Sequence, residues 1–249
     1  MTNEEPPEVN RRLRPTWAAA VAVIVLALGW VLYEHDGTPK YLDASSSEFV
    51  ALFAPPPPAD SPQTRQELEV LLEIQRRRNA SDVDAARADR KTEITQFAGA
   101  LGLDPATMRD LSALDSLAEQ VEDDIRPYVR AAKYHFTRLR PYELEARLEP
   151  CIDNVRDDLS YPSGHATFGY VMAYLLADMV PEQRQALVAR AQEFARQRMV
   201  CGVHFPSDLE AGREGAEWLA RHFLASEAYR KAAQTARDEL RNALHLPRP

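Results

Sequence analysis

Along most of the chain, apolar residues recur every three to four positions, and no stretch shows the strict alternation of a half-buried strand. Leu68, Leu71, Leu72 and Gln75 share one face of a helix predicted over 64–79. A second is predicted over 82–101, and Asp104-Pro105, a capping side chain followed by a first-turn proline, opens a short third. The fourth covers 116–136, with Pro127 as a kink or break. The fifth begins at Ser163 and carries Phe168, Val171, Met172, Leu175, Leu176 and Met179, apolar on most sides, as expected of a central helix. Pro181 opens a sixth that runs to about 200, and 208–223 and 226–244 complete the set. The pattern predicts an all-α, single-domain helical bundle over 64–249.

The first 63 residues differ. Arg11, Arg12 and Arg14 lie in a basic leader, 1–16, ahead of the uncharged apolar run 17–33. Seventeen helical residues rise about 26 Å, within the range that spans a bilayer. Trp17, Trp30 and Tyr33 stand where an aromatic belt sits, and the basic flank predicts a cytoplasmic amino terminus with everything after Tyr33 exported. Two readings stay open: a retained signal anchor, or a signal peptide cleaved near Ala44-Ser45. The bulky Leu28–Tyr33 end favours the anchor. Either reading makes the working domain periplasmic or otherwise extracytoplasmic, and the anchor ties it to the inner membrane. Residues 34–63 read as an extended spacer or strap because of Pro55–Pro58.

Composition narrows the function. With 30 Lys+Arg against 38 Asp+Glu, the formal charge is −8, which argues against nucleic acid as a partner. Only 9 glycines, about half the usual share, disfavour hairpin-rich β folds. Two cysteines are too few for a disulfide scaffold or a Cys-based zinc site. In an oxidising compartment Cys151 and Cys201 can bridge; otherwise they are two buried thiols.

Three blocks carry the chemistry. Lys133 and Arg140 are two helical turns apart in a segment ending at Pro141, so both cations can share a face. Tyr161-Pro162-Ser163-Gly164-His165 opens the most apolar helix, where amide N–H groups and the helix dipole favour an anion and Ser163 adds a hydroxyl. Arg198 is a third cation, and His204 and Asp208, four apart, allow a carboxylate to hold an imidazole nitrogen. Three cations, an amide nest, two histidines and an orienting carboxylate suit a tetrahedral oxyanion and phosphoryl transfer. The set calls for no metal and no cofactor, since Lys and Arg fill the electrostatic role. His135 reads as structural, and Glu122-Asp123-Asp124 as an acidic solvated face. Phe205 and Tyr161 are candidates to line a leaving-group pocket.

In this order, Lys133-x6-Arg140-Pro141, Pro162-Ser163-Gly164-His165 and Arg198-x5-His204-x3-Asp208 resemble the signature of the type 2 phosphatidic acid phosphatase and vanadium haloperoxidase superfamily. The text around them, with the Pro55–Pro58 run and Val200-Cys-Gly-Val-His204-Phe-Pro-Ser-Asp208, is most similar to the bacterial class A non-specific acid phosphatases. The likeness spans roughly 41–245. It implies the helical bundle of that superfamily and a metal-independent hydrolysis of phosphate monoesters with broad specificity, inhibited by vanadate. It also implies roles: His204 as nucleophile, Asp208 as its partner, and His165 as general acid. Lys133, Arg140, Ser163, Gly164 and Arg198 become the phosphate ligands, and self-association becomes an expectation. Because attack needs a neutral His204 beside a protonated His165, an acidic optimum is expected. Gln197 stands where the family usually has Ser, which predicts altered phosphate affinity. The alternatives are a lipid phosphate or lipid pyrophosphate phosphatase, a vanadium haloperoxidase, and a domain that binds phosphorylated ligands without turnover.

Overall fold

A computed structural model describes residues 39–152 and 159–247. The leader and the apolar run 17–33, with the anchor and cleavage readings attached to them, lie outside the described residues. The helices are α1 (Ser46–Val50), α2 (Pro62–Arg77), α3 (Ala80–Ala88), α4 (Ala98–Leu101), α5 (Pro105–Asp110) and α6 (Ser112–Phe136). They are followed by α7 (Pro141–Leu144), α8 (Gly164–Met179), α9 (Arg184–Val200), α10 (Pro206–Ala225) and α11 (Glu227–Ala243). Short 3-10 turns at Ile94–Phe97 and Pro181–Gln183 lead into α4 and α9. Among the described residues the only sheet-like pairing is an isolated antiparallel bridge between Leu139 and Leu159. No helix among them is long and apolar enough to cross a membrane.

The central position expected of the fifth helix is that of α8. It is buried on nearly every side, with α9 and α10 packed against it. Close approach of α10 requires Gly212. A Cβ there would sit 2.8 Å from both the Ser163 carbonyl oxygen and the Ala166 Cβ. Gly212→Ala is therefore expected to destabilise the protein by about 1–3 kcal/mol, the usual range for overpacking. It should also displace the start of α8 at Ser163; thermal denaturation measures the loss of stability.

Several elements depart from the pattern reading. Helix α6 runs through Pro127 without a break. The second helix ends at Ala88 instead of continuing to 101. The reason is tertiary: Asp89 turns inward to pair with Arg190, which also donates to the Gln96 carbonyl (2.7 Å). The segment ahead of α2 is not uniformly extended, since Ser45 caps α1 through a capping box with Glu48. Nor is Asp124 part of a solvated face. It is buried, and its carboxylate accepts from the backbone N–H groups of Lys40 (2.8 Å) and Tyr41 (2.6 Å) and from Gln120 (2.9 Å). The strap is fastened again where the Tyr128 hydroxyl donates to the Ala44 carbonyl, 2.6 Å, and Tyr161 to that of Ala54, 3.0 Å. Between these ties, Tyr41, Leu42, Phe49 and Phe53 enter the main core.

Candidate active site

Each of the three blocks ends on an element that aims its side chains inward. Lys133 lies in the last turn of α6, which Thr137 closes in the left-handed conformation (φ 50°). Beyond it the chain is extended, and Arg138 and Arg140 are buried while Leu139 between them is exposed, the alternation of extended backbone. Ser163 caps α8, its hydroxyl accepting from the Ala166 amide (3.3 Å). Its own amide donates to the Asp208 carbonyl, which locks the second block to the third (3.0 Å). Gly202 takes the positive φ (67°) that turns the chain from α9 into Val203 and His204.

His204 is almost completely buried. Arg140 Nη1 lies 3.1 Å from His204 Nε2, and a guanidinium can only donate. Nε2 is therefore the acceptor, and the ring proton sits on Nδ1, which donates to Asp208 Oδ2 at 3.2 Å. The same oxygen accepts from the Phe205 amide (2.8 Å). Burial, then Arg140 and Lys133, with smaller contributions from His165 and Arg198, holds the His204 imidazole well below its ordinary range. It stays neutral, with a lone pair on Nε2.

His165 stands in the first turn of α8. Its Nε2 is 2.8 Å from the Arg90 carbonyl oxygen, an obligate acceptor, so Nε2 carries a proton. Nδ1 is the nitrogen left for other chemistry. The ring stacks on Phe194 at 5.8 Å. Burial, followed by Arg198, Arg140 and Lys133, pushes it down to about 3. The misread helix break at 89–93 thus has a local result: it brings the Arg90 carbonyl over His165.

The three cations are buried too. Arg140 also donates to the Val203 carbonyl (2.8 Å), Lys133 to that of Leu159, and Arg198 to that of Ala86 (3.0 Å). Burial draws Arg198 down to about 10, although Asp89 opposes it. Its Nε finds no hydrogen-bond partner among the described residues. Gln197 does not turn toward this cluster through its amide nitrogen, which donates to Glu193 one turn earlier on α9. Phe205 is fully buried beneath the Arg138 guanidinium (3.9 Å), and Tyr161 is buried as well. His135 is exposed, edge-on to Phe136. Cys151 and Cys201 are joined in a disulfide, three residues ahead of His204.

Sequence reasoning passed over Arg138, whose Nη1 donates to Asp208 Oδ1 at 2.7 Å. The signal was available: with Pro141 forcing its predecessor to be extended, 138 and 140 must share a side.

The sequence pattern of the PAP2 superfamily matches residues 125–225, which hold all three blocks. Over 212 residues, 80% of this chain and 84% of its counterpart, the sequence is 30% identical to the non-specific acid phosphatase of Providencia stuartii. The chain belongs to the PAP2 superfamily. This PAP2 protein is also 28% identical to the acid phosphatase of Zymomonas mobilis, over 81% of this chain and 80% of that one. The non-specific acid phosphatase of Salmonella typhimurium is 37% identical over 120 residues, 47% of this chain and 48% of its own. That last match spans about half of the relative's length. Its PAP2 membership and these relatives place the chain beside the bacterial non-specific acid phosphatases.

Proposed function

We propose that this PAP2 protein is a metal-independent acid phosphatase that hydrolyses phosphate monoesters with broad specificity through a phosphohistidine. The observation that carries the reading is the state of His204. Its Nδ1–H is held by Asp208 and its Nε2 lone pair faces Arg140, within a buried set of cations. The Nε2 lone pair attacks phosphorus while the ester P–O bond breaks, and Nδ1–H on Asp208 stabilises the imidazolium that forms. His165, protonated on Nδ1, gives that proton to the departing alkoxide, a step worth about 10²–10⁴-fold. Neutral again, it takes a proton from the water that attacks phosphorus and breaks the P–N bond, restoring His204. Lys133, Arg140, Arg198, the Ser163 hydroxyl and the Gly164 amide bind the phosphoryl oxygens and neutralise charge as it shifts between them.

The acid role asks for a protonated His165, yet the unliganded site holds it near 3. The substrate resolves this. A phosphate dianion among the cations that depress His165 reverses their effect, so its affinity for a proton rises on binding. Because the complex then binds more protons than the free protein, vanadate and phosphate affinity should increase as pH falls through the window between the two midpoints. NMR titration of His165 is expected to give a midpoint near 3 when free and one higher by roughly a unit or more with phosphate. An unmoved midpoint would remove His165 from the acid role.

The test of the function is hydrolysis of p-nitrophenyl phosphate from pH 4 to 8 with EDTA present, with and without vanadate. Turnover on the acid side, indifferent to EDTA and blocked by vanadate, is expected; a folded protein without turnover would sink the reading. Export to the periplasm, through a retained or cleaved 17–33 segment, is part of the same proposal. The Cys151–Cys201 bond supports it, since such bonds persist in oxidising compartments.

A further inference from the structure

The orienting carboxylate of this site is itself held. Asp208 is fully buried. Its Oδ2 serves His204 and the Phe205 amide, and its Oδ1 accepts from Arg138 Nη1 at 2.7 Å. Arg138 makes three further contacts: Nη1 donates to the Ser207 hydroxyl (2.7 Å), Nη2 to Glu67 Oε2 (2.9 Å), and the guanidinium face lies on Phe205. Glu67 in turn accepts from the Ser207 hydroxyl (2.9 Å) and amide (3.3 Å). Imidazole, carboxylate, guanidinium and carboxylate thus form one buried chain, His204–Asp208–Arg138–Glu67. Its last member stands on α2, outside the residues that match the superfamily pattern.

We propose that Arg138 and Glu67 are positioning residues for the His204 chemistry. They fix the orientation of Asp208 and set how strongly it holds the imidazole. The inference rests on the phosphohistidine reading.

The chemistry of a buried carboxylate supports this assignment. Burial pushes the Asp208 carboxyl up, and Arg138 is the largest opposing influence, ahead of the Phe205 amide. The charged and titratable groups around Asp208 are His204 on its own turn, Arg138 on the extended segment after α6, Lys133 on α6, Tyr161 just ahead of α8, and Glu67 on α2 beyond Arg138. Arg138 is the one that touches a carboxylate oxygen without also facing the Nε2 side of His204. A guanidinium bound on two sides by carboxylates exerts less pull on each than one bound on a single side. Glu67 therefore moderates Arg138, and the two should act on Asp208 in opposite senses.

Arg138→Met, Arg138→Lys and Glu67→Gln separate positioning from mere packing. Loss of Arg138 raises the pH at which Asp208 protonates, so the acid limb of kcat moves to higher pH in Arg138→Met. That variant should lose about 10–100-fold in kcat, by analogy with the loss seen when a residue orienting a metal-bound side chain is removed. The vanadate inhibition constant should change little, because Arg138 lies outside the set that holds the anion. Arg138→Lys keeps the charge and should leave the limb near wild type. In Glu67→Gln the amide oxygen still accepts from Arg138 while the negative charge is gone, so the limb should move to lower pH. Limbs of Arg138→Met and Glu67→Gln that stay put, or that shift together in one direction, would overturn the proposal, as would kcat and vanadate affinity falling in parallel. Should Arg138→Met fail to fold, Arg138→Lys and Glu67→Gln carry the same test. The ¹⁵N shifts of the His204 ring across the same pH range read Asp208 without turnover. If the wild type hydrolysed nothing, the phosphatase reading would fall while these shifts still decided the roles of Arg138 and Glu67.

Discussion

His204→Ala is expected to lower kcat for p-nitrophenyl phosphate by about four orders of magnitude or more, the loss seen when a catalytic nucleophile is deleted. Among the described residues, only His204 combines a lone pair facing the cation cluster with a proton held by a buried carboxylate. Lys133 and Arg198 keep their contacts, and Arg140 loses its bond to His204 but keeps the one to the Val203 carbonyl, so the three should still attract a phosphate dianion and vanadate or phosphate binding should weaken far less than turnover. On the proposed phosphohistidine mechanism, the covalent step is the part that disappears. Quenching in alkaline detergent, where a phosphohistidine survives, after brief exposure to ³²P-labelled substrate should trap labelled wild-type protein and no labelled variant. Activity within tenfold of wild type, or label persisting in the variant, would move the nucleophile elsewhere.

The second large effect concerns stability. Removing the Cys151–Cys201 bond by Cys151→Ala with Cys201→Ala opens a loop closed across 50 positions. By the chain-entropy relation such a loop contributes about 4 kcal/mol. For a domain of this size that lowers Tm by roughly 10 °C. The bond does not act alone at this spot. Arg87 donates to the Cys151 carbonyl (2.9 Å), and Arg78 to those of Val200 (2.7 Å) and Glu149 (2.8 Å). The turn that delivers His204 is thus clamped from α3, α2 and the 149–151 loop together. Calorimetry on the oxidised protein and on the double variant measures the difference, and a change under about 1 kcal/mol would mean that these side-chain clamps suffice.

The elements that could be read from the sequence were those whose causes are local. Helix α8 announces itself because residues apolar all round leave no solvent face, and α5 because Asp104-Pro105 is a cap with a preset φ. The close placement of His204 and Asp208 follows from their spacing on either side of a helix start. What escaped depends on distant partners. Nothing between Ala88 and Ile94 interrupts helical periodicity with Gly or Pro. The break comes from Arg190, about a hundred positions away, which draws Asp89 inward. Asp124 looked like one of three surface acids because its ligands are backbone amides at 40 and 41, which carry no sequence signal. Arg138 was hidden in a basic run, and its proposed role depends on Glu67, which comes from α2. Spacing brought forward the residues proposed to touch phosphate, and long-range pairing decides what steadies them.

The fastening of Lys40 and Tyr41 to Asp124 bears on how the amino-terminal region can be processed. A peptidase cutting between Ala44 and Ser45 would carry away both backbone donors of a buried carboxylate, together with the buried rings and chains of Tyr41 and Leu42. It would also remove the carbonyl that receives the Tyr128 hydroxyl. Each orphaned buried polar group costs about 1–3 kcal/mol, more for a charged one. Any maturation cut compatible with the folded enzyme therefore falls on the amino-terminal side of Lys40. From Lys40 onward the strap belongs to the core of the folded domain, whatever lies ahead of it.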